Sequence, residues 1–491
     1  MARLSTDNLP ELKPDIEVPH YARASVTSSV VHFGVGNFHR AHQATYCDSL
    51  LNLGKTEWGI LGISLRSPTV RDKLAPQDFL YTQTTLCETA SYRVIGAIQD
   101  LLVAPEAPAA VINAVARNQT RLVTTTITEK GYCLRNGEID LEHSDISQDR
   151  ESLDEPKTTY GYLAAALIQR CSRQGDPLTV LCCDNIQAGG EHLQSGVQML
   201  LQRHSPRTSA WVDKHVAFSS SMVDRVTPAT DERLKEQVAK HLAVYDAAPV
   251  AAEPFTQWVI EDNFAGERPP FDLVGALFVN NIAPFERVKL RFLNAAHSML
   301  AALGYLVGDR FIHEVLQRAN IARFTEQALK LNVLPVTPAP DNINCEAYID
   351  QVLQRFCNGN LPYAVLQVGT DSSQKIQQRW FPTIDEALRL GKDTRYMVFG
   401  LAAWVSFIRK ALQNDDLNDP LRDDFARFNP PGNPSDAQEF LALAGAHKFE
   451  FFADQPFMTA VFQAHRDIEE NGVEQALEFF CMQLIRRNNR A

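Results

Sequence analysis

The chain has 491 residues, 45% of them apolar and 22% charged, with a formal net charge of −12 at neutral pH. This is the composition of a folded, water-soluble protein too long for one core. The acidic balance speaks against nucleic acid or an anionic membrane surface as partner, and no stretch approaches the roughly 20 consecutive apolar residues of a membrane span.

The N-terminus, "MARLSTDNLPELKPD", lacks the apolar segment of a secretion signal, and nine scattered cysteines suggest no disulfide framework. A reduced, cytoplasmic protein is expected. Residues 1–28 read as an irregular, proline-containing lead-in. "SVVHF" (29–33) then reads as a buried strand, followed by a glycine turn and a helical spacing at Phe38, Ala41, Tyr46 and Leu50. "WGILGIS" (58–64), "YRVIGAI" (92–98), "RLVTTTIT" (121–128) and "LTVLCC" (178–183) are further strands. "RSPTVRDKLA" starts a short helix, and 107–117 and 159–173 are helical stretches. Strands alternating with helices predict a Rossmann-like, mostly parallel sheet.

After the strand-like "DLVGALFVNN" the texture changes. Residues 285–303, 310–332, 346–357, 395–412, 436–446 and 472–487 all read as helices. "PVTPAPDN" (335–342) and "FNPPGNPSD" (428–436) are loops, and no internal repeat is evident. The expected organisation is an α/β nucleotide-binding domain over 1–280 and a mostly α-helical substrate-binding domain over 281–491.

"VVHFGVGNFHR" places Gly34-Val35-Gly36 directly between strand and helix. Glycines there let backbone N–H groups approach a pyrophosphate. The third glycine of the dinucleotide fingerprint is missing, and a plain tight turn explains the residues equally well. The second strand ends "GISLRSPT", with Arg66 but no acidic residue for a ribose, which leaves NAD against NADP open. Strand ends also deliver Thr128, Glu129 and Lys130, and Asp184 and Asn185, although Asn and Asp equally suit turns and caps. His39 and His42 lack companions at metal-ligand spacing, so no metal is expected.

"ERVKLRFLNAAHS" (286–298) is largely apolar but carries Lys289, Asn294 and His297. At α-helical spacing these fall at roughly 0°, 140° and 80°, on one broad side. Each alone has an ordinary structural explanation, such as a snorkelling lysine or a satisfied core histidine. Together they suggest a site. Oxidation of a secondary alcohol needs a base for the hydroxyl proton, and burial beside a nicotinamide cation favours the neutral amine of a lysine. The developing alkoxide needs fixed donors, which Asn185 and Asn294 can provide, while His297 orients substrate.

Several motifs in order then carry a family resemblance. "GVGNFHRAHQ", "TITEKGY", "CCDN", "MVDRVTP", "AEPFTQWVIED" and the Lys-x4-Asn-x2-His helix resemble the long-chain polyol dehydrogenases, a group that contains mannitol 2-dehydrogenase and fructuronate reductase. The resemblance runs from about residue 7 to the C-terminus. It implies Lys289 as catalytic base, Asn185 and Asn294 as the oxyanion pair, and His297 as the orienting histidine. It further implies Asp224 and Lys375 as substrate contacts and Glu129 as an acidic residue gating proton or solvent passage. Gly34, Gly36, Asn37, Phe38, Arg66, Thr128 and Asp184 are the cofactor-side candidates.

Two departures bear on specificity. Gln367 stands where mannitol 2-dehydrogenases carry a substrate-holding arginine, which brings "DSSQK" closer to the fructuronate reductases. Pro68-Thr69 replaces an acidic pair after "LRS". The lead-in and "GISLRS" are more like the mannitol enzymes. The expected activity is NAD-dependent oxidation at C2 of a linear six-carbon polyol, D-mannitol to D-fructose in type, without a metal. The alternative is D-mannonate to D-fructuronate, with Arg310 or Lys375 as the cation for a carboxylate. A polyol phosphate is disfavoured by the lack of an assigned basic cluster, and a non-catalytic nucleotide sensor by the intact Lys289, Asn294 and His297. The resemblance points to a monomer.

Overall fold

The computed structural model describes residues 1–135, 137–428 and 434–488. It divides into two compact units, Met1–Ala283 and Pro284–Ala491.

Among the described residues there are thirteen strands, all in the first unit: β1 (Val30–Phe33), β2 (Ile60–Ser64), β3 (Tyr81–Thr85), β4 (Ser91–Ile95), β5 (Ile98–Val103), β6 (Leu122–Thr125), β7 (Leu134–Arg135), β8 (Glu138–Ile139), β9 (Leu178–Cys182), β10 (Val216–Asp224), β11 (Val250–Ala252), β12 (Gln257–Glu261) and β13 (Leu277–Val279). Eight of them form one sheet in the order β13-β12-β10-β9-β6-β1-β2-β5. All its pairings are parallel except β10 with β12. The run β5-β2-β1-β6-β9-β10 is the doubly wound dinucleotide-binding order, with its direction of winding reversing between β1 and β6. β1, β2, β6 and β9 are buried along their whole length. This is why they read as apolar runs rather than as alternation. β3, β4 and β11 form a separate small sheet.

Two expectations need revision here. "YRVIGAI" is not one strand: β4 ends at Ile95 in the small sheet, and β5 begins at Ile98 in the large one. The peptide between them is held by Asp48, whose carboxylate accepts from the Gly96 N–H at 2.9 Å. The long strand β10 has no apolar signature, because "FSSSM" is polar. Its serines are nevertheless buried and satisfied internally, Ser221 Oγ donating to the Cys182 carbonyl at 2.7 Å. The apolar spacing from Phe38 to Leu50 is two helices, Asn37–Ala41 and Gln43–Asn52, broken at His42.

The second unit is helical. Cys345–Phe356 and Arg395–Gln413 lie where the periodicity places them. The predicted helix 310–332 is three pieces, Ile312–Gln317, Ala319–Gln327 and a π-helical Ala328–Val333. Of the proline-rich loop 428–436, residues 429–433 lie outside the described residues. Arg395–Gln413 runs through the core, its Trp404, Phe399 and Phe407 buried in one cluster that also holds Trp380, Phe381 and Met299.

Candidate active site

The first unit gathers its candidates along one edge of the large sheet. Gly34 follows β1 with φ +99°, and a Cβ there would lie 2.1 Å from the Thr126 carbonyl oxygen beyond β6. Only glycine fits, because both the backbone angle and the approach of the two strand ends exclude a side chain. Gly36 is different: its φ is −85°, and the nearest atom to an added Cβ is 3.9 Å away. Its bareness answers no neighbour in the chain, which fits a backbone left open to a bound group. The turn rests on His32, whose ring nitrogens pair with Thr124 Oγ1 at 2.7 Å and Thr126 Oγ1 at 2.9 Å. His39 stacks on that ring with centroids 3.4 Å apart. Burial lowers the His32 pKa to about 3 and that of His39 well below the ordinary imidazole value. Both rings are therefore neutral structural supports.

Asn37 is tied to Arg40 and Thr230, and Phe38 stacks on His42. Arg66 is exposed just past β2, followed by Ser67 and Thr69, whose hydroxyls lie 2.6 Å apart. Asp184, beyond β9, is buried and receives Thr125 Oγ1 at 3.1 Å, the Thr128 N–H at 2.7 Å and the Tyr132 hydroxyl at 2.8 Å. Its carboxylate thus joins the ends of β6 and β9. Burial raises its pKa, against the lowering pull of those donors. Thr128, held by this bond, takes φ +65°, a costly angle for a β-branched residue. The neighbouring Glu129 and the Asn185 that follows Asp184 are exposed. Asp224 is the buried last residue of β10, paired across to Gln257 on β12. Gly34, Thr128, Asn185 and Asp224 therefore share the carboxyl edge of the sheet, where open α/β sheets bind ligands.

In the second unit, "KLRFLN" is not α-helical. Lys289–Asn294 forms a π-helical segment between the helices Ala283–Val288 and Ala295–Val307. Such segments close i→i+5 hydrogen bonds and occur frequently at functional sites. An i→i+5 turn sets Asn294 nearer to the direction of Lys289 than the roughly 140° of an α-helix. Lys289 and Asn294 are both buried, each 9% exposed. His297, on the next helical turn, is clamped between Phe356, stacked at 4.1 Å, and the edge of Tyr363.

Side chains that sequence reasoning missed hold this segment. Arg291 Nη2 pairs with Glu386 at 2.6 Å, and its Nη1 donates to the Val336 carbonyl. Arg379 Nη1 donates to the Asn294 carbonyl at 3.1 Å and to Ser298 Oγ at 2.8 Å. The Trp380 indole donates to the Ala295 carbonyl at 3.1 Å. Nothing in "QQRWF" signals this, since an arginine on a polar helix face reads as solvated.

Lys375 lies half-buried on Ser372–Arg379, a helix packed against the π segment, and its amine donates to the Val368 carbonyl at 3.2 Å. Asp419 caps that helix, accepting from the Ser373 N–H at 2.9 Å. Gln367 is exposed. Arg310 stands past the far end of Ala295–Val307, a helix about 20 Å long, so it does not join Lys289 and Asn294. It lines instead a separate cavity with Tyr305, Lys410 and Asp416.

Residues 28–273 match the mannitol dehydrogenase Rossmann domain, and residues 281–468 match the mannitol dehydrogenase C-terminal domain. The chain belongs to the mannitol dehydrogenase family. It is an oxidoreductase of that family, with a Rossmann-type sheet and a helical C-terminal domain. The chain is 34% identical to a mannitol 2-dehydrogenase of Pyricularia oryzae, over 97% of this chain and 99% of that one. It is 33% identical to D-mannonate oxidoreductase of Escherichia coli, again over 97% and 99%. Among solved structures, Pseudomonas fluorescens mannitol 2-dehydrogenase, a ternary complex with NAD and D-mannitol, superposes with a TM-score of 0.86 at 32% identity, covering 98% of this chain and 99% of that one. Among the described residues, no helix is long and apolar enough to cross a membrane.

Proposed function

We propose that this chain is an NAD-dependent secondary-alcohol dehydrogenase that interconverts the C2 alcohol and ketone of a linear six-carbon polyol, with D-mannitol and D-fructose as the pair. The observation that carries this reading is the buried Lys289–Asn294 π turn with His297 one turn on. The glycine turn at the reversal between β1 and β6 fits NAD, which when bound supplies the hydride acceptor. Gly34, Gly36, Asn37 and Phe38 are the residues proposed on its pyrophosphate side, with Thr128 at the end of β6 and Arg66 beyond β2. Asp184 acts there through Thr128, whose N–H it holds.

Lys289 Nζ, buried on the π turn, accepts the C2 hydroxyl proton as the general base. The amide N–H groups of Asn294 and Asn185 donate to the carbinol oxygen as negative charge develops. His297, fixed by Phe356 and Tyr363, orients the substrate hydroxyls, and Asp224 and Lys375 bind the remainder of the chain. Glu129, exposed beside the strained Thr128, governs passage of the proton to solvent. No step requires a metal. Nine free thiols fit a reduced cytoplasmic enzyme, and we propose a monomer.

A second reading, D-mannonate and D-fructuronate, follows from Gln367, which stands where the resemblance to mannitol 2-dehydrogenases implies a substrate-holding arginine and leaves Lys375 as the cation for a terminal carboxylate. One assay separates the readings. Reduction of D-fructose and of D-fructuronate is followed at the nicotinamide absorbance band, each with NADH and NADPH. Turnover of D-fructose with NADH at the higher kcat/KM supports the first reading. Preference for D-fructuronate supports the second, and cofactor binding without turnover on either substrate would overturn both.

A further inference from the structure

We infer that Arg379 is a positioning residue for the reaction, acting through the backbone of Asn294; the inference rests on the oxyanion role proposed for that amide. A π turn is less favourable than the α-helix that could replace it, and persists only where its surroundings hold it. Here the anchors are specific. One nitrogen of the Arg379 guanidinium donates both to the Asn294 carbonyl, at 3.1 Å, and to Ser298 Oγ, at 2.8 Å. The next residue, Trp380, is fully buried and donates to the next carbonyl, that of Ala295.

The two successive peptides that follow Asn294 and Ala295 are therefore pinned at their oxygens by consecutive side chains. Arg291 secures the interior of the same turn through Glu386 and Val336. Arg379 differs from the other two because it touches Asn294 itself. Turning that peptide re-aims the Cα–Cβ bond, and with it the amide that must meet a developing oxyanion. A misplacement of about 1 Å can cost on the order of 100-fold in rate. The inventory of acids and bases misses such a residue, because its guanidinium never needs to meet substrate or cofactor.

The experiment is a double-mutant cycle on the full chain with the preferred ketose and NADH. Arg379→Ala is expected to lower kcat by tenfold or more, with KM and the NADH Kd within threefold. Arg379→Lys should recover part of the loss, since an ammonium can reach one of the two acceptors. In an Asn294→Ala background, Arg379→Ala should cost less than twofold further. An equal factor in both backgrounds would overturn the inference, as would an unchanged kcat in Arg379→Ala. Near-normal turnover in Asn294→Ala alone would instead sink the oxyanion role. Should Arg379→Ala fail to fold, Arg379→Lys and Ser298→Ala carry the same cycle: a partial loss that vanishes without Asn294 supports the positioning role, and additivity refutes it.

Discussion

The glycine turn after β1 and the π turn at Lys289 are both backbone irregularities, and they are encoded in opposite ways. Gly34 writes its irregularity into the sequence, because no other residue tolerates φ +99° with a carbonyl 2.1 Å from its Cβ position. The six residues Lys289–Asn294 contain neither glycine nor proline and read as ordinary helix. Their π geometry is held by partners elsewhere in the chain: Glu386 and the Val336 carbonyl take up Arg291, and Arg379 and Trp380 donate to the carbonyls of Asn294 and Ala295. A site made of bare backbone must announce itself locally. A site made of side chains on a helix can be shaped by partners far away in the chain.

The largest effect that tests this contrast is on the helical side. Lys289→Ala should reduce turnover on the order of 100- to 10,000-fold, while the NADH Kd, followed by fluorescence titration, stays near that of the parent. Equal loss of both would move Lys289 out of the chemistry. On the glycine side the largest effect is on folding. Gly34→Ala should destabilise by on the order of 3 kcal/mol in urea denaturation, since strain and a backbone clash coincide. Gly36→Ala, with room for a methyl group, should unfold within about 0.5 kcal/mol of the parent yet weaken NADH binding. Similar stability losses in both variants would erase the distinction between a turn required by the chain and one kept for a ligand.

Asn294→Ala should raise the barrier by about 2–4 kcal/mol, read from kcat/KM. A smaller effect is expected from pH. His32, with its pKa lowered to about 3, is neutral in the fold but charges near pH 6.5 once unfolded. The unfolded chain therefore binds more protons in that window, and the contribution of this ring, complete above about pH 6.5, is lost as pH falls. The slope is at most about 1.4 kcal/mol per pH unit for the ring. His39, also lowered by burial, acts in the same direction. A urea midpoint unchanged from pH 7 to pH 5 would contradict neutral stacked rings beneath the glycine turn. Smallest of all, Arg310→Ala should leave kcat/KM within twofold, because its cavity lies at the other end of the Ala295–Val307 helix.

The same contrast explains what could be read in advance. The apolar strands β1, β2, β6 and β9 and the long helices of the second unit are legible because burial and periodicity act within each segment. β10 is not legible, because its serines bond to the Cys182 and Asn263 carbonyls, which no local pattern reveals. Lys289, Asn294 and His297 stood out as polar residues on an apolar helix. Their true spacing depends on Arg379, 85 residues from Asn294. Asp184 read as a cofactor contact from its place at a strand end, whereas its oxygens serve Thr125, Thr128 and Tyr132.

The most direct test of the central claim is the pH dependence of the hydride-transfer step itself. Single-turnover oxidation of D-mannitol by excess enzyme and NAD, compared with C2-deuterated mannitol to confirm that transfer is observed, isolates that step. In the parent the rate should rise with pH to a plateau, and in Lys289→Ala a slow rate should lack this pH dependence and be partly restored by added primary amine. Identical pH profiles in the two proteins, with substrate and NAD still bound, would contradict it.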